Sequence, residues 1–408
     1  MSQQGPEQGR PPQVWGPPAQ QWGPPPGAAG PWGPSPYGPG PSAPGPYVEG
    51  PSATRPYGQA PYTPGSPPQG FPRPLPRFPH PEPREYHQML RTWNYAWWKP
   101  VLGTALVLFG MMLVAPLLLI PVLVFGVLAE GGSFWEGLEQ ALTLEAVGPA
   151  ALLYINLSLG ASILVTWVVM RYVHRMRPRW LTSVVPKMRW RLFFIYVGFS
   201  VVALVATIAV GFFIPGESSM EMSTQLNPVT GTTVALALIV LLTTPFQAAG
   251  EEYVFRGYLL QAIGSFWSFP SVPPWVARWL AIVITSVIFA LGHGVQNFPL
   301  FFDRFVFGLI AGWLVVRTGG LEAGIAMHIL NNFLAFGYAL AFSDLTSSLT
   351  ATEIGWENVP LTLTQAGVYA GLVLLLARRK DVQRRTAPPP EMALGTSPER
   401  SEALSPNG

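Results

Sequence analysis

Three ionisable residues fall close together in one apolar run, Glu251, Glu252 and Arg256 in the string Gly250-Glu251-Glu252-Tyr253-Val254-Phe255-Arg256. A charged side chain at membrane depth costs at least about 2.5 kcal/mol even on lenient insertion scales, so such residues face a bundle interior and mark functional sites. In a helix Glu252 and Arg256 share a face four residues apart and can pair, whereas Glu251 is turned about 100° from Glu252. One acid is then neutralised structurally and the other is left free for chemistry. Histidine placement is equally selective. Of the residues at 80, 87, 174, 293 and 328, the last two lie in or at the end of hydrophobic stretches. Phe289 and His293 are four apart, and His328 and Asn332 repeat that spacing, which gives one helix face an imidazole and a carboxamide, with Asn331 close by. A single intramembrane histidine usually serves as a hydrogen-bond partner between helices. Two of them in the same apolar region as two carboxylates point to proton transfer.

The elements that must position these residues are membrane helices. Of the 408 residues 49% are hydrophobic and 11% charged, and the mean hydropathy is +0.30, the profile of an integral membrane protein with polar tails. Lengths near twenty residues predict eight spans, at about 101–129, 149–170, 192–214, 232–263, 276–293, 299–317, 320–342 and 361–377. Pro116 and Pro121 predict a kink in the first, and Pro245 predicts a local break in the fourth, just ahead of the carboxylates. Loop charges alternate as the positive-inside rule requires. The 171–191 connection carries Arg171, Arg175, Arg177, Arg179, Lys187, Arg189 and Arg191 with no acid, and Arg378-Arg379-Lys380 follows the last span. The connections at 130–148, 216–230 and 343–360 hold only acids, including Glu136, Glu139, Glu217, Glu221, Asp344, Glu353 and Glu357. With Arg84, Arg91 and Lys99 ahead of the first span, both termini are expected in the cytoplasm of a plasma or inner membrane, and Trp93, Trp97 and Trp98 sit where an interfacial aromatic belt belongs.

The first 83 residues repeat Pro, Gly, Gln, Tyr and Trp with almost no aliphatic side chains, so no core can form there and an extended, disordered tail is expected. That tail lacks the charged start and apolar centre of a signal peptide. It reads as a solvated spacer or as a docking segment for an aromatic-lined protein partner. The pI near 9.2 reflects membrane-flanking basic loops and not nucleic-acid binding. Cysteine is absent, which removes disulfides, thiolate metal sites and a thiol nucleophile.

The ordered set Glu251-Glu252-x-x-x-Arg256, Phe289-x-x-x-His293 and His328-x-x-x-Asn332 resembles the three motifs of the CPBP family of intramembrane proteases, the group of the Rce1-like CAAX prenyl endopeptidases and their bacteriocin-processing or Abi immunity relatives. The resemblance covers about residues 230–345, and other intramembrane protease classes fit worse, because neither a Gly-x-Ser-Gly nor a Gly-x-Gly-Asp motif is present. It implies an endopeptidase in which Glu251 is the general base that activates water with His293, His328 and Asn332 stabilise the oxyanion, with Asn331 as a substitute, and Glu252 and Arg256 support the base. Burial raises a carboxylate's pKa and a nearby cation lowers it, so a site with both can tune a base toward neutrality. A metal-dependent version, with zinc held by Glu251, Glu252, His293 and His328, is the alternative. The absence of a His-Glu-x-x-His pair argues against a dedicated metal site.

The expectation is thus an all-α polytopic membrane protein with about eight transmembrane helices. It comprises a disordered tail over 1–90, a multi-span protease domain over 91–380 with its motif core at 230–345, and a disordered tail over 381–408. Its partners would be the bilayer and a membrane-anchored or hydrophobic peptide, with no nucleic acid. A transporter or scaffold that uses the buried charges is the reading from another class, and the chain shows no internal repeat in its favour. One difficulty remains on these limits: Glu251 and His328 fall toward the cytoplasmic ends of their spans and His293 at the outer end of its own.

Overall fold

Apolar length decides the architecture, since a helix of about twenty residues satisfies its own backbone groups across a hydrocarbon layer. The computed structural model describes residues 78–214 and 225–389, which are all-α apart from two isolated bridges, Glu85 with Arg385 and Ser183 with Gly320. The Pro-rich stretch before residue 78 and the segment after residue 389 lie outside the described residues. Among the described residues ten helices follow in order: α1 (Trp98–Glu130), α2 (Phe134–Thr143), α3 (Pro149–Tyr172), α4 (Trp190–Gly211), α5 (Gly231–Phe266), α6 (Pro274–Leu291), α7 (Phe298–Thr318), α8 (Glu322–Phe342), α9 (Leu345–Leu349) and α10 (Asn358–Arg379). Among the described residues eight of these, all but α2 and α9, are long and apolar enough to cross a membrane, and the protein is an integral multi-pass membrane protein. Lipid-facing apolar side chains stay exposed, Leu118 and Phe125 among them, because hydrocarbon is their solvent.

Successive helices run in opposite directions, which sorts the connections into two groups. One end of the bundle carries the residues before α1, the basic 173–189 connection and the residues after α10; the other carries the acidic connections around α2 and α9. We call these the basic end and the acidic end. Helix α3 packs on α1 and α5, α6 on α7, and α10 on α4 and α7, while α8 is held against α4, α5 and α7. Helix α8 is therefore enclosed by α4, α5 and α7.

Two prolines predicted to disturb helices behave differently. In α1 the turns ahead of Pro116 widen into a π-helical segment, Gly110–Val114, where the missing proline N–H leaves a carbonyl without its partner. The break expected at Pro245 does not occur. Helix α5 continues through it for 36 residues, and its departure from α geometry comes after the carboxylates, as a π-helical segment at Tyr253–Leu259. Pro245 removes one backbone donor, and packing of α5 between α3 and α8 keeps the axis continuous.

Ordered packing extends past the limits of 91 and 380 drawn from sequence. Tyr86, Met89 and Leu90 are fully buried beneath the basic end of α5, and the Leu90 N–H donates to Ser265 Oγ at 3.1 Å. The Tyr86 hydroxyl donates to the Leu181 carbonyl. At the other terminus the Thr386 N–H donates to the Arg84 carbonyl at 2.9 Å, and Arg84 N–H returns a bond to Thr386 Oγ1 at 2.9 Å. Glu85 ties the clasp together through Arg278 at 2.6 Å and Arg385 at 3.1 Å.

Three histidines are sealed into this end. His80 Nε2 contacts the Met89 carbonyl at 2.8 Å, His174 Nε2 contacts Tyr258 Oη at 2.7 Å, and His87 is fully buried beside Glu85. Burial pushes each from 6.5 down to about 4. Between those values the unfolded chain binds protons that the folded chain excludes, so their contribution to stability is complete above pH 6.5 and is lost as the pH falls toward 4. The melting midpoint in detergent should therefore drop over that window, and the drop should be shallower in His80→Gln. A midpoint that stays level in the wild type would mean that these rings are hydrated.

Candidate active site

Helix α5 can place a carboxylate next to α3 only because residue 250 is glycine. A Cβ there would strike the Leu159 carbonyl oxygen, a backbone atom that cannot yield. The next two residues then diverge. Glu252 is fully buried, and its Oε1 lies 3.0 Å from Arg256 Nη1 and 3.0 Å from His328 Nδ1. Gly324 of α8 makes room for it, since a Cβ at that position would press on Glu252 Oε2. The Arg256 guanidinium is itself fully buried, with its central carbon 4.0 Å from the Phe289 ring centroid and 5.3 Å from that of Phe307. The cation is held by one carboxylate and two aromatic faces.

Glu251 points instead into a cavity of about 340 Å³ and keeps only 7% of its surface exposed. Its Oε1 accepts from Gln247 Nε2 at 2.5 Å, and Gln247 Oε1 accepts from Asn332 Nδ2 at 2.8 Å, so a neutral amide links the carboxylate to α8. Its Oε2 lies 3.8 Å from His328 Nε2. His293 borders the same cavity just beyond α6. Its Nδ1 is 2.8 Å from the Phe289 carbonyl, which can only accept, so Nδ1 carries the proton and the Nε2 lone pair is left free in the neutral ring. Burial holds His293 below the ordinary histidine value, against the opposing pull of the Glu251 charge. The structure thus brings Glu251, His293, His328, Asn331 and Asn332 around one cavity and turns Glu252 and Arg256 away from it.

The unequal length of the helices accounts for the depths that the sequence could not reconcile. Glu251 stands about 22 Å from the basic end of α5 at 1.5 Å per residue, and α6, about 27 Å long and starting from the same connection, brings His293 to a similar level. Helix α8 starts much higher, with Leu321 against Gly257, so six residues on α5, about 9 Å, and seven on α8, about 10 Å, bring Glu251 and His328 to nearly one height. The last third of α5 extends past the start of α8 toward the basic end.

Several polar residues here were not anticipated. Gln247 is one helical turn before Glu251 on the same face, a spacing visible in the sequence. Asp303 and Arg304 of α7 line the cavity, where Thr362 donates to Asp303 at 2.5 Å and Arg304 donates to Gln296 at 2.8 Å. Glu322, at the first turn of α8, is fully buried and pairs with Arg189 at 2.6 Å. A carboxylate opening an apolar run was the available signal for it.

A metal would draw on Glu251, Glu252, His293 and His328. Glu252 Oε1 and His328 Nδ1 are engaged with each other and with Arg256, and among the described residues no three His, Asp or Glu side chains converge as ligands. This donor set does not fit a metal ion.

Comparison with known proteins is consistent with the motif reading. Residues 233–334 match the family described as type II CAAX prenyl endopeptidase Rce1-like, a stretch that runs from α5 into α8 and contains all six of the predicted site residues. The resemblance expected from the three motifs is borne out over that segment. The chain is also 24% identical over 216 residues to the uncharacterized protein YyaK of Bacillus subtilis (strain 168), which covers 51% of this chain and 69% of that one. It is 32% identical over 95 residues to an uncharacterized 24.3 kDa protein of Escherichia coli, covering 22% of this chain and 41% of the relative, so the chain spans less than half of that protein. No solved structure matches.

The placement of Arg256 over two aromatic rings generates a prediction. Loss of one partner from a buried ion pair costs about 3–5 kcal/mol. Arg256→Ala should therefore lower thermal stability as well as any activity, and Arg256→Lys should recover little, because an ammonium cannot lie flat over Phe289. Glu252→Gln with Arg256→Met should regain stability. Additive losses in the Glu252 and Arg256 double-mutant cycle, measured by unfolding in detergent, would show that the two are not coupled.

Proposed function

We propose that the protein is an intramembrane endopeptidase that hydrolyses a peptide bond of a membrane-associated substrate with a water activated by Glu251 and His293. The observation that carries this reading is the contrast between the adjacent acids: Glu252 is compensated by Arg256 and His328, while Glu251 faces the cavity with only a neutral amide bonded to it. The match to the Rce1-like endopeptidases over residues 233–334 supports it independently.

In this reading Glu251 takes a proton from water, with the free Nε2 of His293 as the second acceptor that orients it. The oxygen bonds to the peptide carbonyl carbon, and the charge that develops on the carbonyl oxygen meets Asn332 and His328. Asn332 spends one amide hydrogen on Gln247 and keeps the second for the oxyanion. His328 already directs Nδ1 at Glu252, so it donates from Nε2 only as the imidazolium. Collapse breaks the C–N bond, and the proton held by Glu251 passes to the leaving amine. Gln247 keeps the carboxylate aimed. No step passes through a metal.

The charge asymmetry of the connections supports an orientation with the basic end, and with it both termini, in the cytoplasm. A prenylated C-terminus is the substrate that the matched family's description would suggest.

Activity of purified protein on peptide substrates in detergent tests the reading. Glu251→Gln should lower turnover by about 100-fold or more while the protein still folds, and His293→Ala should do likewise. Asn332→Ala should cost about 2.7–4 kcal/mol in the barrier and leave measurable activity. Because the reaction uses neutral His293, the acid limb of the pH profile should fall below 6.5, the ordinary value for the residue. A chelator should have no effect. Undiminished turnover in Glu251→Gln would overturn the assignment.

A further inference from the structure

We infer that the cavity opens to the extracytoplasmic face and takes peptide segments presented from that side. This rests on the endopeptidase reading for the word substrate, and on the geometry for the direction of access.

Every wall of the cavity belongs to the acidic end or to mid-depth. Asn156 lies in the second turn of α3, Asp303 in the second turn of α7 and Thr362 in the second turn of α10, all of which begin at that end. Ser348 and Leu349 come from α9, and His293 from the connection after α6. Among the described residues, none around the cavity comes from the connections of the basic end.

The basic end is closed. His87 packs its backbone against Gly264, and Tyr86, Met89 and Leu90 are buried under the last turns of α5, so a substrate arriving there would meet the terminal clasp about 22 Å from Glu251. The loop charges fix which face is which. The 171–191 connection holds seven Lys or Arg and no acid, whereas the connections at the cavity end hold Glu136, Glu139, Asp344, Glu353 and Glu357 without a Lys or Arg. Short loops with that bias orient basic-side-in.

The substrate class follows. A lipidated C-terminus anchored in the cytoplasmic leaflet would approach the closed end. The accessible bonds are those of an exported peptide or of the outer juxtamembrane segment of another membrane protein, entering beside α9 and reaching Glu251 part-way into the bilayer.

The natural absence of cysteine makes the test direct. Single cysteines are introduced as Ser348→Cys in the cavity wall, Thr350→Cys at an exposed site beside it, and Lys187→Cys at an exposed site of the basic end. Intact cells are treated with a membrane-impermeant maleimide. Labelling at 348 and 350 without permeabilisation, and at 187 only after it, supports the inference; the reverse pattern overturns it whatever the activity. A fluorogenic peptide cleaved by the detergent-purified wild type is then supplied outside proteoliposomes sorted by the Lys187→Cys label. Cleavage only where residue 187 faces the lumen is expected. Cleavage only in the opposite orientation overturns the inference. If no peptide is cleaved in detergent, the endopeptidase reading and the substrate class fail together, and the labels alone decide the direction of the opening.

Discussion

Burying two adjacent carboxylates among apolar helices imposes a desolvation cost that the surrounding structure must offset, and most of the motif region is arranged around that requirement. Glu252 Oε1 alone receives Arg256 from its own helix and His328 from α8. Arg256 in turn needs the aromatic faces that α6 and α7 supply through Phe289 and Phe307. Four helices therefore converge on one carboxylate. Gly324 follows from this convergence, since a side chain there would press on Glu252, while Gly250 lets α5 lie against the α3 backbone.

The π-helical segment at Tyr253–Leu259 belongs to the same problem. All seven of its residues are buried, so the helix there has no lipid face and must meet neighbours on every side. A widened turn changes which residues point at which neighbour without breaking the axis, and such segments recur at functional sites. It aims Tyr253 at Thr182 and Tyr258 at His174, which anchors α5 to the basic connection while the carboxylates one turn earlier face α8 and the cavity.

Much of this was legible from residue types. Apolar length set the eight spans to within a few residues, because the backbone has no alternative in hydrocarbon. The i,i+4 spacing of Glu252 and Arg256 foretold their ion pair. Pro245 misled, because a missing hydrogen bond is a local cost and the tertiary packing of α5 outweighs it. The segment around Tyr86 was read as part of a disordered tail because Pro81 and Pro83 continue the tail's composition, and three apolar side chains in and just after a three-residue 3-10 turn make no periodic signal. Depth was illegible for a different reason: hydropathy gives the length of a span and not the level at which it starts, and α8 starts well above the end of α5.

Equal chemistry at adjacent positions leads to unequal roles through the partners alone. Glu252 meets a guanidinium and an imidazole; Glu251 meets the carboxamide of Gln247, which can donate one hydrogen bond and bring no charge. The nearest imidazole nitrogen to Glu251 is the far side of the ring that already serves Glu252, at 3.8 Å, beyond a direct hydrogen bond. A carboxylate held in direction by a neutral amide, beside His293 whose tautomer is fixed by a backbone carbonyl, keeps acceptor capacity aimed at one volume. Gln247 is therefore more than a spacer: by joining Glu251 to Asn332 it ties the group that would take the proton to the group that would meet the oxyanion, so that movement of α8 against α5 would disturb both at once.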